Sequence, residues 1–259
     1  MRTRVTGRVR SDAAAELSGL VRSPSRPRVL WTHNDSGDRA RLLAVRDDGR
    51  LLADVTVSGA TNSDWEDIAT DGSSLLVADI GDNFDRRSSV SVYRFAEPSV
   101  GERSATSTAP AERIELRYPG GPRDAEALLV DPAGGKLVIV EKRFDGRAGI
   151  YVADRPAAGG PTTLRRGGRL SLRPGEAVTA GDVSADGRTI ALRSYTRLFA
   201  WTRRPGESVA EALRRRPCSA DAELLREGQG EALALSRNGA TAYTVPEGRR
   251  PAIRAYAPG

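Results

Sequence analysis

The sequence has very little of the chemistry that disulfides and transition-metal sites require. It contains one cysteine, Cys218, and one histidine, His33. A single cysteine cannot form an intramolecular disulfide, and these two residues together cannot supply a zinc ligand set. The sequence therefore excludes a disulfide scaffold and a zinc site of the finger type.

Long hydrophobic runs are also missing. The longest apolar stretches, such as LLVADI from Leu75 and KLVIV from Lys136, run four to six residues, whereas a membrane helix needs about 20. The first ten residues, MRTRVTGRVR, contain no apolar segment of the kind found in a secretion signal. These absences predict no membrane segment, and they favour a cytoplasmic protein or a mature domain with an added methionine.

Lysine is scarce although the chain is basic. The net charge is +6, and of 40 basic residues only Lys136 and Lys142 are lysines. A basic balance can indicate nucleic-acid binding. However, the densest arginine runs, RRGGR from Arg165 and RRR from Arg214, lack the interleaved aromatic residues on which single-strand binders stack bases. The pattern favours solvated surface arginines over a nucleic-acid partner.

One unit of sequence recurs five times. Copies begin at Glu126 (EALLVDPAGGKLVIVEK), Thr179 (TAGDVSADGRTIALRSY) and Glu231 (EALALSRNGATAYTVPEG), and each has a glycine eight residues after its first residue. A copy with a shorter turn begins at Glu66, and the first begins at Ser18. The five leading positions are separated by 48, 60, 53 and 52 residues. This period is typical of propeller blades.

Each unit reads as up to four short strands separated by turns rich in glycine, proline and aspartate. The fifth unit ends after its third strand, and TRVTGRV from Thr3 is expected to supply its outer strand. TTLRRGGRLSL from Thr162 is assigned as the fourth strand of the third unit, and ESVAEALRRR from Glu207 as a helix between strands of the fourth. The sequence predicts an all-β fold, a five-bladed β-propeller with four-stranded antiparallel blades. A single domain spans residues 1–259, with units starting near residues 16, 64, 124, 177 and 229 and strand 3–9 closing the last blade.

The leading position of each unit should face a common central axis, because the first strand of a propeller blade lines the channel. These positions hold three carboxylates and two hydroxyls: Ser18, Glu66, Glu126, Thr179 and Glu231. Unpaired carboxylates in close contact repel one another and are expensive to bury. Hard oxygen ligands favour Ca²⁺, with Mg²⁺ as the second choice. The ring is therefore a predicted metal site, with a polar channel paired by arginines, or an ion that only joins the blades, as the alternatives.

Two further acids flank Glu66. Asp64 and Asp67 are interpreted as residues that brace the loop around Trp65, and Trp65 is expected to point away from the axis.

The second strand of each unit ends on the same face as the ring, and these ends are the most polar stretches of the chain. They predict a cup of functional residues around the ion. The candidate catalytic residues are His33, Asp35, Asp79, Lys142 and Arg193. The candidate substrate contacts are Asn34, Asn83, Glu141, Tyr195, Glu247 and Arg249.

The order of ring residues resembles that of the calcium-activated nucleotidases (apyrases), five-bladed propellers whose central Ca²⁺ is held by a Ser/Glu/Glu/Ser/Glu set. The segment ELSGLV from Glu16 looks like the first-blade motif of that family. The resemblance implies Ca²⁺ ligands at Ser18, Glu66, Glu126, Thr179 and Glu231, with threonine replacing serine at 179.

The chain also resembles a group of mostly secreted actinobacterial propellers termed esterase-like phytase or SdiA-regulated. The similar motifs are HNDSGD, WEDIA, DIGDN, DAEALLVDP and QGEALA. The chain departs from this group in having no signal peptide, which favours an intracellular role.

Three functions fit these observations. The first is a Ca²⁺-dependent hydrolase of a phosphate ester or anhydride, in which Asp35 or Asp79 is the general base and Arg193 with Lys142 neutralises developing charge. The second is a cyclase, isomerase or lyase with His33 as proton shuttle. The third is a ligand-binding propeller with a structural ion. All three predict a monomer that takes a small-molecule partner, an anionic one in the first case.

Overall fold

The computed structural model describes residues 2–101, 105–108, 110–220 and 224–258, and its architecture is all-β. Short apolar runs form the strands: β10 and β19 are buried along their whole length. Most consecutive strands pair antiparallel, and the described strands form sheets of eight, five, four and four strands. The β-strand propensity of branched and aromatic residues, interrupted by glycine-rich turns, accounts for this local pattern.

The strands follow one another along the chain as the repeat pattern predicts. The first strand is β1 (Arg2–Arg8), and the first unit contains β2 (Leu17–Arg22), β3 (Val29–Asn34), β4 (Arg41–Arg46) and β5 (Leu51–Thr56). The second contains β6 (Trp65–Thr70), β7 (Ser74–Asp79), β8 (Val90–Ala96) and β9 (Glu112–Arg117). The third contains β10 (Ala125–Asp131), β11 (Lys136–Glu141), β12 (Arg147–Ala153) and β14 (Arg165–Ser171), with the short β13 (Thr162–Thr163) before β14. The fourth contains β15 (Val178–Val183), β16 (Thr189–Ser194), β17 (Leu198–Thr202), the helix α1 (Val209–Leu213) and β18 (Cys218–Ala220). A 3₁₀ turn (Leu224–Glu227) precedes β19 (Gly230–Leu235), β20 (Ala242–Pro246) and β21 (Ala252–Ala257).

The fifth unit takes its outer strand from the start of the chain. β1 pairs antiparallel with β21, from Arg2 opposite Ala257 to Arg8 opposite Ala252. The fifth and first units also join at their inner strands, because Glu231 in β19 forms a parallel bridge with Ser18 in β2. These two contacts bring the first strands of the described chain next to its last strands.

The fourth strand of the third unit differs from its prediction. TTLRRGGRLSL divides into two strands that belong to different units. β13 pairs in parallel with β9 of the second unit, and β14 pairs with β12. Leu164, which lies between them, is buried in the hydrophobic cluster shared by the second and third units. The buried side chain at the crossing thus joins two units that the sequence pattern treats separately.

The helix α1 is short and locally encoded. Ser208 and Glu211 form a capping box, in which each side chain accepts from the other's backbone N–H. Its buried residues, Val209, Ala212 and Leu213 among them, pack against apolar side chains of the third and fourth units. The helix therefore extends the core at that junction. Of the helices in the described ranges, none is long and apolar enough to cross a membrane.

The innermost strands of the units contact one another in a closed order. β2 contacts β6, β6 contacts β10, β10 contacts β15, β15 contacts β19, and β19 contacts β2. We call the space that they surround the channel. Apolar clusters fill the spaces between successive units. This arrangement is consistent with a β-propeller.

Candidate metal-binding site at the channel mouth

A β-bulge marks the inner strand of every unit. The register shift falls at Glu66, Glu126, Thr179 and Glu231 in four of them. In β2 it falls at Gly19, which has a φ of 70°, one residue after Ser18. A bulge leaves one residue outside the ladder and redirects its side chain. The predicted ring positions are thus where the strands depart from regular pairing.

All five predicted ring residues are buried. The glutamates Glu66, Glu126 and Glu231 are 2–4% exposed, and the two hydroxyl residues are fully buried. Burial, followed by the neighbouring carboxylate of Glu126, raises the pKa of Glu66 well above its ordinary value. Burial also raises the pKa of Glu126, and Glu231 adds to that effect. The structure therefore brings the three glutamates into electrostatic contact.

The two hydroxyls of the ring connect neighbouring units. The Ser18 Oγ donates to the backbone oxygen of Glu66 at 2.7 Å. The Thr179 Oγ1 donates to the backbone oxygen of Gly230 at 3.0 Å. Each hydroxyl oxygen keeps acceptor capacity after donating. Both residues hold adjacent inner strands together, whether or not they also bind an ion.

Lys142 enters the ring from the end of β11. Its ammonium group forms an ion pair with Glu126 Oε1 and lies 5.6 Å from the centre of the Tyr195 ring. Tyr195 in turn donates from its hydroxyl to Glu231 Oε1 at 3.1 Å. The ion pair with Glu126 raises the pKa of Lys142 despite its partial burial. One cation therefore offsets part of the negative charge, while Glu126 Oε2 has no hydrogen-bond partner within the described chain.

A tighter carboxylate cluster lies at the edge of the ring. Asp35, just after β3, and Asp64, just before β6, join Glu66, with one oxygen of each within 4.8 Å of the others. Burial, with a contribution from Asp64, raises the pKa of Asp35 to about 6. Burial and the charge of Asp124 likewise raise the pKa of Asp64. Three mutually close oxygens on partly buried carboxylates form a donor set that suits Ca²⁺ or Mg²⁺.

The backbone at Gly81 shapes this cluster. A Cβ atom at residue 81 would lie 2.2 Å from Glu66 Oε1 and 2.5 Å from Asp64 Oδ2. Both distances are below any normal contact, so a side chain would displace the carboxylates. Glycine in the DIGDN segment is therefore required for Glu66 and Asp64 to occupy these positions.

Asp64 is a site residue that the sequence interpretation missed. It was expected to brace the loop, whereas its carboxylate belongs to the cluster. Asp64 and Asp124 stand two residues before the ring glutamates of their units, as Glu16 stands two residues before Ser18. This shared offset was the signal that could have identified them. The Asp124 carboxylate accepts from the backbone N–H of Asp82 at 2.9 Å, and burial raises its pKa.

Asp67, in contrast, is structural. Its carboxylate accepts backbone N–H groups from Ile68 at 2.9 Å, Leu128 at 2.9 Å and Gly181 at 3.2 Å. These donors lie on three inner strands, β6, β10 and β15. Asp67 therefore joins three units below the ring instead of bracing a loop.

His33 lies in an apolar environment. It is fully buried, its Nδ1 is 3.0 Å from the backbone oxygen of Asn34, and its ring packs edge-on against Trp65 at 5.5 Å. Burial lowers the pKa of His33 to about 4. The imidazole is therefore neutral near pH 7, and its role as a proton shuttle stays a prediction.

Asp79 and Arg193 are held in ion pairs. The Asp79 carboxylate is 2.8 Å from Arg87 Nη1 and accepts from the backbone N–H of Asp64 at 3.2 Å. Arg193 is fully buried, donates to the backbone oxygen of Ala232 at 3.1 Å, and lies 3.3 Å from the buried carboxylate of Glu227. Both side chains are thus engaged within the protein.

Five of the six predicted substrate contacts divide into three groups. Asn34 donates to Asp38 at 2.6 Å and to the backbone oxygen of Ala13 at 2.7 Å. Asn83 and Arg249 are exposed. Tyr195 and Glu247 face Glu231, and burial together with a hydrogen bond to Glu231 raises the pKa of Glu247 to about 8.

Glu141 ends β11 opposite Ala125, the neighbour of the ring residue Glu126, but its carboxylate has other partners. Its carboxylate accepts from the backbone N–H of Gly149 at 2.9 Å and lies 3.6 Å from Arg123. It therefore lines a separate cleft on the third unit.

Comparisons with known proteins define only a distant likeness. No family model matches the chain, and no curated protein matches it. Among solved structures, a candidate 6-phosphogluconolactonase from Bacteroides uniformis superposes with a TM-score of 0.47 and 18% sequence identity. That match covers 97% of this chain and 70% of the other.

Proposed function

We propose that the chain is a five-bladed β-propeller enzyme that binds a divalent cation, preferentially Ca²⁺, at the channel mouth and hydrolyses a phosphate ester or anhydride. The observation that carries the proposal is the Asp35, Asp64 and Glu66 cluster, whose oxygens lie within 4.8 Å of one another. The fivefold recurrence of the sequence unit and the closed order of the five inner strands support the blade count.

The residues present fit a hard cation. Asp35, Asp64 and Glu66 would hold it, since they supply oxygen ligands on two neighbouring units, and the absence of a side chain at Gly81 lets Glu66 and Asp64 occupy their positions. Burial makes these charges costly without a cation, as the raised pKa values of Asp35 and Glu66 indicate. A bound cation would polarise a phosphoryl oxygen and favour ionisation of attacking water.

Two side chains elsewhere around the ring would supply the charge neutralisation and the proton donation that hydrolysis requires. Lys142 neutralises negative charge and can move from Glu126 to a phosphoryl oxygen when an anionic substrate enters. Glu247, whose pKa is raised to about 8, still holds its proton near pH 7 and can donate it to a leaving group. Arg193 and Asp79 have no role in this proposal, because Arg193 is fully buried beside Glu227 and Asp79 is paired with Arg87.

The proposal is tested by metal binding and phosphate release together. Purified protein is titrated with Ca²⁺ by calorimetry and then assayed against nucleotides and inositol phosphates with and without the ion. We expect saturable Ca²⁺ binding and Ca²⁺-dependent phosphate release, both lost in Glu66→Gln. Glu115→Gln, an isosteric change on the outer strand β9, is the control and should retain both.

The Lys142→Met variant tests whether Lys142 acts in catalysis or only stabilises the site. It should leave Ca²⁺ binding within about tenfold of wild type while lowering turnover by about 10²-fold or more. Ca²⁺ binding without phosphate release from any of these substrates would reduce the site to a structural ion and refute the hydrolase proposal.

A further inference from the structure

A second polar cleft lies on the third unit, outside the channel. It has a volume of about 450 Å³, which is within the range of small-molecule sites. Five arginines contribute to its lining: Arg123, Arg143, Arg147, Arg166 and Arg169. Two carboxylates, Glu141 and Asp145, also line it, so positive charge is in excess by three.

The strand register explains how these side chains converge. Arg147, Gly149 and Tyr151 alternate along one face of β12, and Gly149 lies opposite Arg169 on β14 while Tyr151 lies opposite Arg166. Residues diagonal to each other across two strands have Cβ atoms about 7–8 Å apart. Arg147 and Arg169 stand in this relation, so their long side chains can reach one ligand.

Glycine at residue 149 forms the floor of the cleft. A Cβ atom there would lie 2.8 Å from Glu141 Oε2 and 2.9 Å from the Tyr151 hydroxyl. The absent side chain lets both polar groups approach the backbone between the arginines. The base of the cleft is thus formed by a carboxylate and a phenol hydroxyl.

Some of the arginines are already engaged. Arg123 donates to the Tyr151 hydroxyl at 3.2 Å, Arg166 donates to the backbone oxygen of Pro119 at 3.1 Å, and Arg143 lies 3.4 Å from Asp145. Among the described residues, the Arg147 and Arg169 side chains make no hydrogen bond or ion pair, although the backbone N–H of Arg147 and, more weakly, its charge lower the pKa of Asp145. Two exposed guanidinium groups thus remain available as donors on an electropositive wall.

We propose that this arginine cleft binds a small, multiply charged oxyanion of the phosphate type. Guanidinium groups bind such oxyanions through paired N–H donors and stay charged at every relevant pH. Arg147 and Arg169 are the principal ligands, and Arg123 and Arg166 shape the walls. The proposal does not depend on the function proposed above, because none of the five arginines belongs to the carboxylate cluster.

Inorganic pyrophosphate is the probe, and calorimetry in buffer stripped of divalent cations is the measurement. We expect saturable binding of one pyrophosphate per chain. Arg147→Gln/Arg169→Gln should weaken binding by at least about tenfold. Arg2→Gln/Arg4→Gln removes the same charge from exposed positions on β1 and should change binding by less than about twofold.

Three outcomes would overturn the proposal. The first is an absence of pyrophosphate binding by wild type. The second is an equal loss in both double variants, since that would reveal only the net charge of the chain. The third is tighter binding of a ten-nucleotide single strand than of pyrophosphate through Arg147 and Arg169, which would make the cleft part of a nucleic-acid surface. Thermal melts of both variants establish that each remains folded.

Discussion

Single residues at the channel mouth carry charges that the fold alone does not stabilise. Glu66 is the clearest case, because it is buried among other acids and its pKa is raised. A residue kept for stability would be expected to lower the free energy of the folded state. Without a cation, the burial of Glu66 among other acids raises the free energy of the folded state. Substitution of Glu66 should therefore change cation binding and stability in opposite directions.

Glu66→Gln should make the cation-free protein more stable by about 1 kcal/mol, since an amide removes the repulsion and part of the desolvation penalty. The same change should abolish the stabilisation that Ca²⁺ gives to wild type. Urea unfolding with and without Ca²⁺ measures both effects. A less stable cation-free variant with an intact Ca²⁺ response would contradict the assignment.

Asp182, which is not part of the carboxylate cluster, gives a prediction of how the stability of the fold depends on pH. Its carboxylate is buried and accepts from the backbone N–H groups of Val183 at 2.7 Å and Leu235 at 2.6 Å. Burial raises the pKa of Asp182 to about 7, against about 3.9 in an unfolded chain. The folded state therefore favours the protonated form, and this contribution to stability is present below about pH 4 and is lost as pH rises through 7.

The measurement compares wild type with Asp182→Asn between pH 5 and pH 8. Because asparagine does not titrate, the unfolding free energy of wild type minus that of the variant should fall as pH rises across this range, by about 2.6 kcal/mol. A difference that is constant or increases with pH would show that Asp182 is ionised in the folded protein throughout.

At the scale of elements, the bulged inner strands and the loops that follow the second strands determine which side chains meet. Repeat spacing predicts the positions of Glu66, Glu126 and Glu231, because each has the same place in its unit. Spacing does not predict that Asp35 of one unit approaches Asp64 of the next. That proximity depends on how neighbouring units pack and on a glycine at 81, which no periodicity marks as special.

The ion pair of Arg193 with Glu227 is likewise not predictable from the repeat spacing. Its position at a strand end suggested a ligand for anions, but its partner Glu227 lies 34 residues further along, in a 3₁₀ turn outside the repeat. A repeat pattern contains no information about a contact made by a connecting segment. The strands can therefore be predicted from the sequence, whereas the polar contacts between units cannot.

Gly81→Ala tests the loop after β7. The added methyl group would displace Glu66 and Asp64, because the ideal Cβ position is 2.2 Å from Glu66 Oε1. Ca²⁺ affinity should fall by about tenfold or more while the strands remain intact. Gly134→Ala is the matched control, since a Cβ atom there meets nothing within 4 Å; calorimetry should detect no change in it.

The pairing of β1 with β21 gives a second prediction for an element. Removal of residues 2–8 exposes the edge of β21, whose Ile253 and Tyr256 are buried, so we expect a loss of several kcal/mol and aggregation on heating. Val5→Ser changes a side chain that is 54% exposed and should stay within about 0.5 kcal/mol of wild type. Equal behaviour of the two proteins in urea unfolding would show that backbone pairing by β1 contributes little.

For the whole molecule, a cation bound between units should raise the melting temperature. At a Ca²⁺ concentration of 100 times its dissociation constant the gain is about 2.7 kcal/mol, which corresponds to roughly 5–10 °C for a chain of this size. Scanning fluorimetry with CaCl₂ measures the shift, and NaCl of equal ionic strength is the control. A shift that NaCl reproduces would reflect screening of surface charge and not a bound ion.

The bridge between Glu231 and Ser18 joins residues that are 213 positions apart. Contacts of such long sequence separation form late, because the loop that they close is long. The proposed cation ligands Asp35, Asp64 and Glu66 all come from the first two units, whereas the repulsion that Glu231 exerts on Asp35 and Glu66 arises only when the circle of inner strands closes. The appearance of cation affinity during refolding would therefore report the packing of the first two units against each other, before the circle is complete.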